Sequence, residues 1–279
     1  YPEGDKRRDA GFTIFYMGIN LGAFLAPLVC GWLGETYGWH YGFGAAGIGM
    51  LAGLIFFVIG SNRGVFLDVG HQPKEWKEKK VAGTNIANLI YFGSALLVPI
   101  AALLVYFNNL EVLHMELMEI LLLAVLAIIL VYLIIYMSKS PKVVWQRLVV
   151  VLILTTFITV FWSFFEQAGS SLTLFAERNV NLTFLNASQT NAINPGYIII
   201  LAIPFSLLWT FLDTKRLNPS TPIKFALGIL QLGIGFMIFA MSVRAMDATG
   251  GVPFIYLMLG YFFITTGEMF ISPIGLSKT

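Results

Sequence analysis

Glu166 and Glu268 fall inside long apolar stretches of the sequence, where no Lys or Arg lies beyond the first turn. Lipid penalises a charge heavily, so such an acid pairs with a cation, faces water or takes up a proton. No cation in the apolar stretches is available to either. Three outcomes follow: the partner lies outside these residues, the partner is a cationic ligand, or the acid carries a proton. All three belong to the movement of a solute or a proton across a membrane. The competing reading is structural, an acid close to a helix end that reaches the headgroup layer. Glu166 lies near the end of its stretch, and Glu268 is followed only by Met269 to Ile274 before the stretch closes.

Helical spacing gathers other polar groups beside these acids, because residues three or four apart share a face. Trp162, Glu166 and Gly169/Ser170 form one such set. Tyr261, Thr265, Glu268 and Ser272 form another, and Tyr16, Asn20 and Phe24 a third. A polar stripe in lipid turns into the bundle or toward water. For the aromatic members, packing or anchoring at the interface is the other reading. Asn194-Pro195 has two readings as well. Either Asn194 is an N-cap before a first-turn proline, or the helix starts nearer Ala187 and carries the amide into a cavity.

Signals for catalysis are missing. His40, His71 and His114 lie in connections without metal-ligand spacing. No Gly-rich phosphate loop follows a strand, and Ser170-Ser171 has no His nearby. No metal, no cofactor and no nucleic-acid partner is therefore expected. The triplets Asn181-Leu182-Thr183 and Asn186-Ala187-Ser188 match glycosylation acceptors, a pattern common by chance. Cys30 is the single cysteine, so no disulfide forms within the chain.

The elements that must position these residues are membrane helices. Hydrophobic residues make up 57% of the chain and charged residues 11%, with a mean hydropathy of +0.79; soluble domains carry about 25% charged residues. A helical span needs roughly 20 mostly apolar residues. Eight stretches qualify: Phe12 to Leu33, Tyr41 to Ile59, Ile86 to Phe107, Glu119 to Met137, Trp145 to Ala168, Ile193 to Phe211, Ile223 to Val243, and Val252 to Ile271. Lipid offers the backbone no hydrogen bonds, so these stretches are helices. Of the 17 basic residues, all but Arg178 and Arg244 lie on alternate connections or at the two ends. Cytoplasmic loops collect Lys and Arg, which puts both ends of the chain in the cytoplasm, and eight crossings return to the starting side. The opening at Tyr1 and the stop at Thr279 read as cuts through a longer protein.

Within the spans, Gly18 and Gly22 form a small-xxx-small pair suited to close helix contact. Gly228 with Leu232 and Gly233 with Met237 do not repeat the pattern. Pro27, Pro99, Pro204 and Pro273 each remove a backbone donor, giving a kink or a gating hinge. The third and fourth spans have almost no polar side chain and are joined by a short acidic connection (Glu111, Glu116). They read as a hairpin facing lipid, with no chemical role.

Four segments carry a resemblance. Phe15 to Phe24 (FYMGINLGAF) resembles a signature of the proton-dependent oligopeptide transporter (POT/PTR) family of the major facilitator superfamily. Phe164 to Leu172 (FFEQAGSSL) is similar to its seventh-helix motif, Asn194-Pro195 with Ile198 to Trp209 to its eighth helix, and Gly267 to Ser277 (GEMFISPIGLS) to its tenth. The resemblance implies an all-α bundle of the major-facilitator type, of which this chain holds helices five to ten plus the extra hairpin of prokaryotic members. The implied organisation is 1–60, the last two helices of the N-terminal bundle; 61–85, a cytoplasmic linker; 86–140, the inserted hairpin; and 141–279, the first four helices of the C-terminal bundle.

The resemblance further implies a proton-coupled symporter, not an enzyme, importing di- and tripeptides in a bacterial inner membrane. Asn20, Asn194, Glu268, Trp162 and Tyr16 match or flank residues lining the peptide site, and Glu166, with Glu268, matches the proton-coupling and gating acids. The position before Glu166, where many members carry another acid, is Phe165. The family's first-helix Glu-x-x-Glu-Arg motif and fourth-helix Lys would lie on helices outside this chain and supply the cationic partners. Other readings are a major-facilitator carrier of nitrate, an amino acid or a drug-like solute, a proton-conducting subunit of a membrane enzyme complex, or a structural anchor.

Overall fold

The computed structural model describes residues 7–65, 76, 79–81, 83–108, 111–112, 115–248 and 250–277. For 7–14, 111–112 and 272–277 only the backbone is described, so His71, His114, Lys6, Lys74, Lys77, Lys278 and the side chain of Ser272 lie outside it. Eight helices are long and apolar enough to cross a membrane: Phe15–Tyr37, Trp39–Asn62, Ile86–Tyr106, Leu117–Ser138, Lys142–Asn179, Ser188–Thr214, Thr221–Ala245 and Phe254–Ile271. They are called the first to eighth spans below. The architecture is an all-α membrane bundle, as the composition predicts. The chain divides into two compact units, residues 1–54 with 153–279, and residues 55–152.

In the 55–152 unit, the third span contains Pro99, and the fourth begins with a capping box between Glu116 and Glu119. Two short antiparallel ladders precede them: β1 (Lys80–Val81) with β2 (Thr84–Asn85), and β3 (Glu111–Val112) with β4 (Met115–Glu116). The second ladder forms the acidic connection. Ala87 is the one buried residue among the described residues of these two helices. Their apolar side chains therefore point outward, the arrangement expected of helices solvated by hydrocarbon.

The other unit holds the packed interior. Phe161, Ala176, Leu257, Tyr261 and Ile264 are at most 1% exposed and, with Phe225, Leu232 and Phe239, join helices of the fifth, seventh and eighth spans into one cluster. The seventh and eighth spans meet backbone to backbone. A Cβ on Gly228 would lie 2.8 Å from the Gly267 carbonyl, one on Gly267 2.7 Å from the Gly228 carbonyl, and one on Gly235 2.9 Å from the Gly260 carbonyl. Small residues allow such approach, and dispersion between close helices is a main source of cohesion in lipid. Close glycine contact is seen at other positions than those singled out in the sequence. Gly18 and Gly22 meet nothing within 4 Å among the described residues, whereas Gly228, set aside in the sequence, makes the close contact. The periodicity of one helix marks small residues but not which of them face a partner.

Two helices break where the sequence reads as continuous. Pro27 opens a π-helical turn, Pro27–Gly31, before the helix resumes at Trp32–Tyr37. One residue then links the first span to the second, Gly38 at φ +116°, a conformation that favours glycine. In the fifth span the α-helix ends at Phe165; a 3-10 turn covers Glu166–Gly169, and a new helix covers Ser171–Asn179. The face expected to run from Trp162 through Glu166 to Gly169/Ser170 therefore loses its register at Glu166.

Candidate functional site

Asn194 lies on the sixth span, where a 3-10 turn (Ser188–Ala192) runs directly into the α-helix Ile193–Thr214. The helix has thus begun before Asn194, so the second reading of Asn194-Pro195 is the one realised: the amide projects from inside the helix and does not cap it. Its Nδ2 donates to Glu268 Oε2 at 3.0 Å and to Thr265 Oγ1 at 3.0 Å. The Thr265 hydroxyl in turn donates to the Tyr261 carbonyl at 2.7 Å. Thr265 is fully buried, and Glu268 is 9% exposed.

Both protons of the Asn194 amide are used within the cluster, which fixes its orientation. Glu268 Oε1 has no hydrogen-bond partner among the described residues, and Glu268 makes no ion pair there. A carboxylate accepts through both oxygens, so half of its capacity stays open. The eighth span holds Glu268 rigidly because Gly267 is locked against the seventh.

The first span closes on the same place. A Cβ on Gly196 would lie 3.1 Å from the Phe24 ring, so the first span packs against the sixth two residues from Asn194. One turn earlier, Asn20 is buried and donates from Nδ2 to the Tyr16 carbonyl at 2.9 Å. The half-buried Tyr16 side chain lies beside Asn20 and within electrostatic range of Glu268. Asn20, Tyr16, Asn194 and Glu268 are therefore brought together by three helices distant in sequence. Tyr261, though on the face of Glu268, packs against Phe239, and its buried hydroxyl has no hydrogen-bond partner among the described residues.

Two expected residues stand apart. Trp162 is half-buried among aromatic neighbours, edge-on to Phe161 at 5.7 Å and to Phe165 at 4.9 Å, and makes no hydrogen bond in the cluster. Glu166 is exposed in the 3-10 turn, without a hydrogen bond to a described residue, yet within electrostatic range of Glu268.

The sequence reading missed a second polar group at the far end of the first and sixth spans. Glu35 Oε1 accepts the Ser188 N–H at 2.8 Å, and Gln189 Nε2 donates to the Leu28 carbonyl at 3.0 Å. Asn186 and Gln189 also bond reciprocally, each side-chain oxygen accepting the other's backbone N–H. The Asn-x-x-Gln spacing, akin to a capping box, was the available signal.

Comparison with known proteins places this geometry. The profile described as the POT family matches residues 1–279. The chain is 35% identical over 290 residues to the peptide transporter YePEPT of Yersinia enterocolitica subsp. palearctica, covering 99% of this chain and 56% of that protein. It is 33% identical over 285 residues to an uncharacterized transporter, YclF, of Bacillus subtilis (strain 168), covering 100% and 56%. The crystal structure of a peptide transporter POT in complex with sulfate superposes with a TM-score of 0.77 at 34% identity, covering 99% of this chain and 56% of that one. The chain thus spans little more than half the length of the relatives it matches.

Proposed function

The chain belongs to the POT family, and we propose that the transporter of which these residues form part imports di- and tripeptides, driven by protons, by alternating access across a bacterial plasma membrane. The observation that carries this reading is Glu268: a buried carboxylate on a membrane helix, held at Oε2 by Asn194, with Oε1 unpartnered and no cation bonded to it among the described residues. A peptide ammonium supplies the missing positive charge. Asn20, on the opposing helix, offers an amide oxygen to the same ligand, and Tyr16 offers an aromatic wall. The peptide carboxylate needs cations, which the family resemblance assigns to the first-helix and fourth-helix motifs on other helices.

Glu166 is the second acid of the scheme. Exposed at the break in the fifth span, it exchanges a proton with water more readily than a sealed group does. Taking up and releasing a proton there biases the two states of the transporter. Both ends of the chain are assigned to the cytoplasmic side. Residues 1–60 are assigned to one bundle, 61–85 to a linker, 86–140 to the lipid-facing hairpin, and 141–279 to the other bundle.

The test is uptake by the full-length transporter in liposomes, with labelled dialanine and an inward proton gradient. Wild type accumulates peptide above equilibrium, and a protonophore abolishes the excess. Glu268→Gln loses peptide affinity by about tenfold to a hundredfold, the value of a charge-assisted hydrogen bond. Wild type that fails to concentrate peptide, or a Glu268→Gln variant with unchanged affinity, overturns the reading. Competition by nitrate or free amino acids in place of dipeptides would assign a different cargo to the same fold.

A further inference from the structure

Thr265 is fully buried, so it touches no ligand itself, yet it bonds an amide that can. We propose that Thr265 is a positioning residue for peptide recognition: its hydroxyl fixes which edge of the Asn194 amide faces Glu268 and so leaves the amide oxygen to the ligand. This rests on the peptide reading above.

A threonine hydroxyl has one proton and two acceptor sites. In Thr265 the proton goes to the Tyr261 carbonyl, one turn back at 2.7 Å. A carbonyl only accepts, so the direction of that bond is fixed. Toward the sixth span, Thr265 Oγ1 therefore acts only as an acceptor, and it receives Asn194 Nδ2 at 3.0 Å. Turning the amide over would set its oxygen against Oγ1 with no proton between them.

Glu268 demands the same edge of the amide, through Oε2 at 3.0 Å, but only while it is charged. A protonated acid donates and could hold the amide the other way round. Thr265 makes the same demand in either state, because its own proton is committed to the backbone. The free oxygens follow from this arrangement. Neither Asn194 Oδ1 nor Glu268 Oε1 has a hydrogen-bond partner among the described residues. An ammonium carries three donors, and these two oxygens belong to side chains already joined by a bond. The frame behind them is stiff. Tyr197 donates from its hydroxyl to the Met258 carbonyl at 3.2 Å, a second tie between the sixth and eighth spans.

Bonding back to its own helix is an ordinary use of a threonine within a helix. Thr266 shows that use alone. It is 4% exposed, and its hydroxyl reaches the Phe262 and Phe263 carbonyls at 3.0 and 3.1 Å and nothing on another span among the described residues. The two neighbouring threonines thus share burial and back-bonding, and differ in the amide that Thr265 receives from the sixth span.

The test is the affinity of the full-length transporter in detergent for labelled dialanine. Thr265→Val keeps the shape and removes the hydroxyl, and affinity is expected to fall about fivefold, the effect of one neutral hydrogen bond. Thr265→Ser keeps the hydroxyl and is expected to bind as wild type does, and so is Thr266→Val. In an Asn194→Ala background, Thr265→Val is expected to add no further loss, since a residue that acts through Asn194 has nothing left to position. Thr265→Ala repeats each comparison without the second methyl group, and carries the test if the valine variant does not fold. Unchanged affinity on removal of the hydroxyl, failure of Thr265→Ser to restore it, or an equal loss with and without the Asn194 amide overturns the inference and leaves the peptide reading standing. Wild type that does not bind dialanine overturns the peptide reading instead.

Discussion

Glu268 is 9% exposed, bonded by Asn194 and carried on a helix locked to its neighbour through Gly228 and Gly267. Glu166 is exposed, unbonded to any described residue, and carried on a 3-10 turn where its helix breaks. In the sequence the two read alike, as acids in apolar stretches. The fold separates them by supplying a preorganised amide to one and leaving the other uncovered by the described residues. An acid held by a rigid donor is suited to recognising a charged ligand in a fixed geometry. An acid at a helix break is suited to proton exchange and to motion. The difference assigns complementary work to the two regions, and it is open to attack from either side.

The largest effect is expected from Asn194→Asp. It replaces a two-donor amide with a second carboxylate facing Glu268 Oε2 across about the 3.0 Å of the present bond. Loss of a charge-assisted bond and repulsion between like charges act together, for about 3 kcal/mol or more of lost stability. Asn194→Ala should fall between this variant and wild type, since it removes the donor without adding charge. Thermal unfolding of the full-length protein in detergent measures both, and an unchanged midpoint for Asn194→Asp would remove the preorganised cluster from the comparison.

Next comes the seam behind Glu268. Gly228→Ala forces a methyl group against the Gly267 carbonyl and the Ile271 side chain, at 2.8 and 2.7 Å, and should cost about 1–3 kcal/mol as overpacking. Gly233→Ala on the same helix meets nothing within 4 Å among the described residues and should gain up to about 1 kcal/mol from helix propensity. Opposite signs in the two unfolding midpoints are the expected result. Equal shifts would mean that the eighth span is not held in the way its geometry indicates.

The eight spans and their all-α character were legible because lipid imposes length and hydropathy on every spanning helix, whatever it packs against. The polar faces of the first and eighth spans were legible for a similar reason, since spacing along one helix fixes which residues share a side. What stayed hidden depends on pairs of helices. Gly18 and Gly228 are indistinguishable until a second backbone is in place, and the Asn194 amide becomes a donor to Glu268 only once the helix start is known. The breaks at Pro27 and Glu166 were hidden too. Pro27 was visible as a residue that removes a donor, but its π turn depends on where the freed carbonyls find partners. Those partners, Asn186 and Gln189, lie more than 150 residues away. At Glu166 the apolar run gives way to Glu166-Gln167-Ala168-Gly169, which marks the end of a stretch but not the new helix that starts at Ser171.

The smallest effect on stability is expected at Glu166, and it is the sharpest test of the division of labour. The side chain is exposed and bonds no described residue, so Glu166→Gln should change the unfolding midpoint by no more than about 0.5 kcal/mol equivalent, the ordinary range for surface substitutions. Peptide affinity without a gradient should also stay close to wild type, because Glu268 and Asn194 are untouched. Gradient-driven accumulation should fall toward equilibrium exchange, since the group proposed to carry the proton no longer titrates. A variant that is stable, binds peptide and exchanges it, yet no longer concentrates it, separates coupling from recognition at a single residue. Accumulation equal to wild type would remove Glu166 from coupling and leave Glu268 to serve both roles, which the contrast between the two surroundings argues against.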